Sequence, residues 1–405
     1  MCDKFDFPTE IVQEGEVKVL VPKLEAFVKS PSEYAPSKAP VFYNPVMELN
    51  RDIAVLALQS YQRMVNREIS VCEPLTGCGV RGLRFATEVE GVKKVVINDV
   101  NMKAFQLACH NVRVNELSEH VFVRNEDANS LLGNYGRPLR RFDAVDIDPF
   151  GTPVLYLNSA IRALRSSGFL ILTATDMAPL CGVHPKACIR KYGGNPLRTE
   201  YCQELAVRLL AGSLAMTAAK LCMGVNLVFS HSIDHYIRIY AILKYGAKKA
   251  DENIENMGYI LHCFKCFHRE VVKELFLFEH SGRCSECGSK MSVAGPLWLG
   301  RIVDKQFCES VEDEAKRRMF KLGRKIRKIL MLVKNEAEAP ITYYVLDKLC
   351  SRLAIPVPPV TRVVRALRRE GFHVSLTHFN LKGIRSDVPA MKIKDLLREI
   401  SACKR

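Results

Sequence analysis

The sequence contains no apolar run of 18 residues; the longest candidate, 209–219, lies between Arg208 and Lys220. A membrane-spanning helix needs about 20 such residues, so the sequence argues against a membrane protein. It also has no internal repeat and no low-complexity tract. The N-terminus carries acidic residues where a secretory signal would need a basic start and an apolar core. We therefore expect a cytoplasmic protein.

Acidic residues are in short supply: 44 Asp and Glu stand against 59 Lys and Arg, a net charge of +15. Residues 301–405 hold 24 basic and 12 acidic residues, so +12 of this excess lies in the last quarter. Such an imbalance indicates a polyanionic partner, although a basic surface kept for solubility would look the same. With 405 residues and 48% hydrophobic content, the chain is long enough for two or three globular domains and is not disordered.

Short β-branched runs alternate with helical patterns in the first half of the chain. We predict strands at 69–72, 94–98, 121–124, 144–147 and 169–174. This alternation predicts an α/β, Rossmann-like domain with a parallel sheet over residues 1–245. A polar stretch at 244–256 separates it from a smaller α+β C-terminal domain at 246–405. There we expect a zinc ribbon at about 258–300 and a basic, winged-helix-like unit at about 312–400, which begins with one helix over 312–334.

A glycine-rich loop follows the first of these strands. Gly77, Gly79 and Gly82 fit the pattern G-x-G-x-x-G, which lets a backbone approach a nucleoside cofactor. Asp99 ends the second strand, where a carboxylate can bind both ribose hydroxyls. Asp127 ends the third and can accept a hydrogen bond from the adenine amine, or it can cap the next helix. These features alone do not separate a dinucleotide from S-adenosylmethionine (SAM).

The tripeptide Asp148-Pro149-Phe150 follows the fourth strand, where an open sheet binds its reacting ligands. The exocyclic amine of a base is a poor nucleophile because its lone pair is delocalised. A carboxylate and a proline carbonyl that both accept its N–H bonds direct that lone pair at a methyl donor, and an aromatic ring stacks on the base. Hydride transfer does not need this tripeptide. The sequence therefore favours a class I SAM methyltransferase, over a plain Asp-Pro turn or a nicotinamide oxidoreductase.

Four cysteines have the spacing of a zinc ribbon: Cys263 and Cys266 form one C-x-x-C pair, and Cys284 and Cys287 form another. Four thiolates suit a structural, tetrahedral zinc and leave no open position for catalysis. A pair of redox dithiols would instead need a thioredoxin-like setting, which the sequence lacks. We expect the neighbouring histidines not to bind the metal (His262, His268 and His280).

Several strings in the sequence resemble the tRNA guanine-26 N2-dimethyltransferase family, of the archaeal and eukaryotic type. They are Phe42-Tyr43-Asn44-Pro45-Val46-Met47, Asn50-Arg51-Asp52, the turn 79–85, Asp148-Pro149-Phe150-Gly151, and the segments 173–182 and 191–202. The resemblance covers nearly the whole chain, including the order of the zinc cysteines and the basic C-terminal domain. One departure is Thr76-Gly77-Cys78-Gly79 in the glycine loop, where the family more often has a small residue and a hydroxyl-bearing residue in the two middle positions.

The resemblance implies a SAM-dependent enzyme that converts guanine 26 of tRNA to its N2-methyl and then its N2,N2-dimethyl form. It implies SAM contacts at Arg51, Arg81, Asp99, Asp127 and Ala128. It also implies a guanine pocket at Asp148, with Phe42 and Phe150 stacking on the base. Action on another tRNA guanine, or a single methylation, remains the alternative. We expect a monomer with no obligate protein partner, with tRNA phosphates bound by basic residues of the C-terminal domain (Arg324, Lys325, Arg327, Lys328, Arg362, Arg365, Arg368 and Arg369).

Overall fold

A computed structural model describes residues 5–28, 35–233, 235–274 and 282–402. Its first compact unit comprises Met1–Pro149, Leu155–Leu172 and Glu309–Arg327. At the centre of this unit are five parallel strands: β3 (Ile69–Glu73), β4 (Val92–Asn98), β5 (Val121–Arg124), β6 (Phe142–Ile147) and β7 (Leu164–Ala174). Their order is β5-β4-β3-β6-β7. Strands β4 and β5 are added on one side of β3, and β6 and β7 on the other, so the strand order reverses between β3 and β6. Sheets of this kind bind ligands at the point of reversal.

The described part of the first unit before residue 164 also contains one hairpin and five α-helices. The hairpin is formed by β1 (Thr9–Glu14) and β2 (Val17–Pro22), and the helices are α1 (Glu48–Val65), α2 (Val80–Glu88), α3 (Met102–Val114), α4 (Ala128–Asn134) and α5 (Leu157–Ala163). Local sequence explains their ends: Asn101 caps α3 by accepting a hydrogen bond from the Lys103 N–H, and α1 ends at Asn66 in the left-handed conformation. Apolar residues of α1, β3, β4 and β6 are buried and form the core.

The predicted α/β fold is confirmed, and all five predicted strands are present, with β7 starting five residues earlier than expected. The hairpin β1–β2 was not predicted. The predicted helix over 312–334 is wrong: α10 (Lys305–Arg317) and α11 (Gly323–Asn335) replace it. The chain turns between them, where the Gly323 N–H donates to the Phe320 carbonyl, and Arg318 donates to Gln59.

The second unit comprises Phe150–Val154, Thr173–Cys308 and Lys328–Arg405. Its elements, in chain order, are α6 (Met177–Leu180), α7 (Pro185–Tyr192), α8 (Cys202–Ala219), the antiparallel pair β8 (Met223–Ile233) and β9 (Tyr236–Tyr245), α9 (Ala247–Ile254), β10 (Met257–His262), β11 (Arg269–Val272), β12 (Ser292–Trp298), β13 (Tyr344–Val345), α12 (Leu346–Leu353), α13 (Val360–Arg369), β14 (Val374–Leu376), β15 (Gly383–Ser386) and α14 (Ala390–Ala402). Strands β11-β10-β12 form the predicted ribbon. Strands β13-β15-β14 with α12 and α13 form the predicted winged-helix-like unit.

The border between the units does not coincide with the predicted domain boundary at residue 245. Helix α8 packs on strand β12: Arg208 donates to the carbonyls of Trp298 (3.0 Å) and Gly300 (3.1 Å). This packing joins residues before 245 to the ribbon after it. The division into functional domains at 245 stays a prediction. Among the described residues, every helix is too short or too polar to cross a lipid bilayer.

Candidate functional site

The glycine-rich loop joins β3 to α2, and two of its glycines have no room for a side chain. Gly77 has φ +58°, and a Cβ there would lie 2.8 Å from the carbonyl oxygen of Phe42. A Cβ on Gly82 would lie 2.2 Å from the side chain of Ile97 on β4. Gly79 immediately precedes α2. The loop therefore presents bare backbone at the carboxyl end of β3, as a nucleoside site requires.

Two predicted cofactor carboxylates lie at the ends of the neighbouring strands. Asp99, after β4, accepts hydrogen bonds from the N–H groups of Gly77 (2.8 Å) and Asn101 (2.9 Å), so the carboxylate is fixed beside the glycine loop. Burial raises the pKa of Asp99, and these two bonds oppose that effect. Asp127, after β5, is exposed and accepts from the Ser130 N–H at 2.9 Å, so it caps α4. Ala128 is buried as the first residue of that helix.

Arg81, on α2, binds the predicted catalytic carboxylate. Its Nη2 donates to Oδ2 of Asp148, and its Nη1 donates to Oδ1 of Asn50 at 2.8 Å. Glu73, at the end of β3, lies 3.3 Å from its Nε, and Asp146 lies 3.6 Å from its Nη1. One buried guanidinium thus holds together the ends of β3 and β6, the two strands at which the sheet order reverses.

Glu73 is fully enclosed by this arrangement. It accepts hydrogen bonds from the Thr76 hydroxyl (2.6 Å) and the Gly82 N–H (3.0 Å). Burial raises the pKa of Glu73 to about 7, although the charge of Arg81 opposes the rise. Sequence reasoning did not select Glu73, because nothing in its local sequence shows that three carboxylates converge on a single arginine.

Arg51 is buried in an ion pair that the sequence did not predict. Its Nε and Nη2 lie 2.5 and 2.6 Å from the two carboxylate oxygens of Glu14, on the N-terminal hairpin. Arg84 also donates to Glu14, at 3.1 Å. Burial alone would raise the pKa of Glu14, but the two arginines outweigh it and the pKa is lowered. The predicted contact of Arg51 with the methionine carboxylate of SAM would therefore use Nη1.

The predicted base-binding aromatics differ in exposure. Phe42, in the first unit, is half-buried, and Pro149 is buried. Phe150 belongs to the second unit and is 74% exposed. The residue after it is held firmly: the Gly151 N–H donates to the Thr175 hydroxyl at 2.7 Å, and the Thr175 N–H donates to the Gly151 carbonyl at 2.9 Å. Thr175, which sequence reasoning did not select, therefore anchors the segment that carries Phe150.

The four predicted zinc ligands come together in the second unit. The Sγ atoms of Cys263, Cys266, Cys284 and Cys287 all lie within 4.8 Å of one another. Tetrahedral zinc with Zn–S bonds of about 2.3 Å places sulfurs about 3.8 Å apart, so the cluster fits this metal. Both pairs lie in the same kind of turn: the Cys263 and Cys284 N–H groups donate to carbonyls five residues later, at 2.9 and 2.8 Å.

Histidine is absent from the cysteine cluster among the described residues, whereas His280 lies outside them. His268 binds two carboxylates instead, with Nε2 3.0 Å from Glu270 and Nδ1 2.8 Å from Glu286. Glu286, located between the second pair of cysteines, also accepts from the N–H groups of Ala390 (2.9 Å) and Met391 (2.8 Å). The cysteine turn is therefore bound to the first residues of α14.

Helix α13 has one apolar face and one basic face. Val363 and Leu367 are buried in the core of the winged-helix-like unit. Arg365, Arg368 and Arg369 are exposed, as are the predicted phosphate-binding residues of α11 (Arg324, Lys325, Arg327 and Lys328). These positions suit contacts with RNA phosphates, which remain a prediction.

Comparison with known proteins identifies the family. The family model for N2,N2-dimethylguanosine tRNA methyltransferase matches residues 15–398. A tRNA (guanine(26)-N(2))-dimethyltransferase of Methanosphaera stadtmanae is 40% identical over 397 residues, covering 98% of each chain. An Aquifex aeolicus relative, named a tRNA (guanine(26)-N(2)/guanine(27)-N(2))-dimethyltransferase, is 35% identical and covers 96% of each chain. The solved structure of Trm1 from Pyrococcus horikoshii with SAM has a TM-score of 0.83 and 33% identity, covering 95% of this chain and 99% of that one. The chain belongs to the N2,N2-dimethylguanosine tRNA methyltransferase family.

Proposed function

We propose that this protein transfers methyl groups from SAM to the exocyclic N2 of guanine 26 in tRNA, giving first the N2-methyl and then the N2,N2-dimethyl base. The observation that carries the proposal is the position of Asp148-Pro149 directly after β6, with Asp148 held by Arg81 where the sheet order reverses. Family membership and the SAM bound in the Pyrococcus structure support the same conclusion.

SAM would be held by the residues at the carboxyl ends of β3, β4 and β5. The bare backbone at Gly77 and Gly79 would give close access, Asp99 would bind the ribose hydroxyls, and Asp127 with Ala128 would hold the adenine. Arg51 and Arg81 offer charge-assisted hydrogen bonds to the methionine carboxylate. When bound, SAM supplies an electrophilic methyl group on a positively charged sulfur.

Asp148 and Pro149 prepare the guanine amine for attack. The Asp148 carboxylate and the Pro149 carbonyl accept its two N–H bonds, and the proton lost from the nitrogen passes to the carboxylate. Because Arg81 already orients Asp148, the carboxylate is in place before the base arrives. Guanine must leave its helical stack to arrive there, at a cost of a few kcal/mol, and stacking on Phe42 and Phe150 offsets part of that cost.

The C-terminal part of the chain supplies tRNA binding in this proposal. The exposed arginines of α13 bind phosphates, and the four-cysteine zinc holds the ribbon in shape without taking part in methyl transfer. We also propose that the protein acts as a monomer in the cytoplasm.

A second candidate is action on guanine 27, because the Aquifex relative is named for both guanines. The test is transfer of labelled methyl groups to three tRNA transcripts: one with guanine at 26 only, one at 27 only and one at neither. Nucleoside analysis should give dimethylguanosine from the first transcript alone. Methylation of the third, or none of the first, would refute the proposal, and monomethylguanosine as the final product would restrict the enzyme to one transfer.

A further inference from the structure

The first unit contains a cavity of about 660 Å³ that the proposed reaction does not use. Its lining includes residues near the starts of four strands: Ser70 on β3, Lys94 on β4, Phe142 on β6 and Arg165 on β7. The SAM and guanine residues follow the opposite, carboxyl ends of the strands. A six-residue strand such as β6 spans about 20 Å, so Phe142 at its start lies far from Asp148, while Arg124 and Glu126 extend the lining to the carboxyl end of β5.

The lining is strongly basic. It contains six cationic residues, Lys94, Arg124, Arg137, Arg140, Arg141 and Arg165, against the single carboxylate of Glu126. Like charges concentrated in this way repel one another and destabilise the fold unless an anion neutralises them. A cavity of this volume is large enough for a nucleotide-sized group.

Several of these cations are held in place through contacts that leave donors available. The Nε of Arg141 donates to the Gly136 carbonyl at 3.1 Å, and the Nε of Arg165 donates to the Arg141 carbonyl at 2.9 Å. Lys94 lies 5.1 Å from the ring centroid of Phe122 and 5.9 Å from that of Tyr135. Nη1 of Arg165 also lies 3.5 Å from the Asp143 carboxylate, which partly neutralises this cation. The other terminal N–H groups of a guanidinium held in this way can bind a second acceptor, which is the geometry that favours phosphate.

The segment between α4 and β6, residues 135–141, borders the cavity and supplies two further arginines. Arg137 and Arg140 are exposed, and neither makes an ion pair with any residue in the described ranges. Tyr135, in the same segment, lines the cavity as a half-buried aromatic. A basic groove with an aromatic side chain is typical of surfaces that bind single strands or the backbone of RNA.

We propose that this cavity is a second RNA site, which binds backbone phosphates of the tRNA at the amino-terminal edge of the sheet. The inference rests on tRNA being the substrate, as proposed above. Nucleic acid carries about one phosphate per 1.7 Å of duplex, so an RNA arm that extends 20 Å from the reacting base has several phosphates to offer. In this proposal the first unit contributes to tRNA affinity, together with the basic C-terminal region.

The test compares two double variants of the full-length protein. Arg137→Gln with Arg140→Gln removes two cavity charges, and Lys18→Gln with Lys23→Gln removes two exposed charges on or beside the N-terminal hairpin, outside the cavity lining. The dissociation constant for a tRNA transcript is measured from 50 to 200 mM salt. We expect the cavity variant to bind about tenfold more weakly and to lower the salt slope by about 1.5, whereas the control changes neither. Arg137→Lys with Arg140→Lys should keep the wild-type slope.

Three results would overturn the proposal: an unchanged affinity and slope in the cavity variant, an equal loss in the hairpin control, or binding of inorganic tripolyphosphate to the cavity with no effect on tRNA. Thermal unfolding of each variant checks that it is folded. The kcat at saturating tRNA should stay within about twofold of wild type while the KM for tRNA rises. If the wild-type protein methylated no tRNA, the proposed function would fail. The binding measurements would still show whether the cavity binds tRNA.

Discussion

Nη2 of Arg81 donates a hydrogen bond to Oδ2 of Asp148, so the residue expected to contact SAM also orients the residue expected to accept the guanine amine. Asn50 and Glu73 hold the other nitrogens of the same guanidinium. The rigid, planar guanidinium of Arg81 thereby links the expected SAM-binding residues to the expected guanine-binding residues. A lysine, with a single ammonium, could not make these contacts together.

Replacing Asp148 should impair methyl transfer and leave SAM binding nearly unchanged. Asp148→Ala should lower kcat by at least about a thousandfold because the amine loses its charged acceptor, while the dissociation constant for SAM changes less than about threefold. Labelled methyl transfer and calorimetry measure the two quantities, with Glu119→Ala, an exposed acid, as the control. Transfer within about tenfold of wild type would contradict the acceptor role.

Thr175 offers a test of how the segment that carries Phe150 is held. Thr175→Val keeps the side-chain shape but removes the acceptor of the Gly151 N–H, a loss of roughly 1–3 kcal/mol. We expect kcat for tRNA to fall about tenfold with unchanged SAM binding. Thr175→Ser restores the hydroxyl and should restore activity; if both variants behaved alike, the hydrogen bond would not be what matters.

Metal removal should affect the second unit selectively. Elemental analysis is expected to find one zinc per chain, and a strong chelator or Cys263→Ser should lower the thermal stability and weaken tRNA binding, because metal binding and folding are coupled at such sites. SAM affinity should be retained. Cys222→Ser changes an exposed cysteine outside the cluster and serves as the control. Full stability without bound metal would exclude the zinc site.

Glu336 predicts a pH dependence of stability. It is buried and binds His378 (2.7 Å) and Arg385 (2.7 Å). Burial raises its pKa, but these two partners outweigh burial and lower the pKa to about 2. A carboxyl whose pKa falls on folding stabilises the fold fully above its unfolded value near 4.3, and this stabilisation disappears as the pH falls toward 2.

Glu336→Gln should therefore destabilise the protein at pH 7 by on the order of 3 kcal/mol and have little effect near pH 2. Urea unfolding at a series of pH values measures this difference. The surface variant Glu338→Gln controls for removal of one carboxylate in the same segment. A loss of stability that did not vary with pH would show that Glu336 acts through packing alone.

The sequence predicted the sheet well because the central strands are short, mostly apolar runs bounded by polar residues: β3 ends in Glu73, and Asp148 follows β6. It also placed the four cysteines correctly, since metal spacing is a local pattern. The ion pair of Arg51 could not be predicted from its neighbours in the sequence. Its partner Glu14 lies 37 residues away on an unpredicted hairpin, and Arg84, 70 residues from Glu14, binds the same carboxylate.

The break between α10 and α11 was missed for the opposite reason. Apolar periodicity continues through the segment, and no proline interrupts it. What ends the first helix is a tertiary contact, from Arg318 to Gln59, together with a turn at Phe320. Periodicity reports which face is buried but not whether the chain changes direction.

The hydrogen bonds of Glu286 link the zinc site to the last helix, and this link predicts how the protein responds to stress in the cell. The carboxylate that lies between two zinc-binding thiolates also holds the start of the last helix, through Ala390 and Met391. Peroxide or zinc starvation that opens the cysteine turn would release this helix as well, while the glycine loop around Gly77 stays intact. Under such stress we expect the enzyme to keep its affinity for the methyl donor while it binds tRNA more weakly.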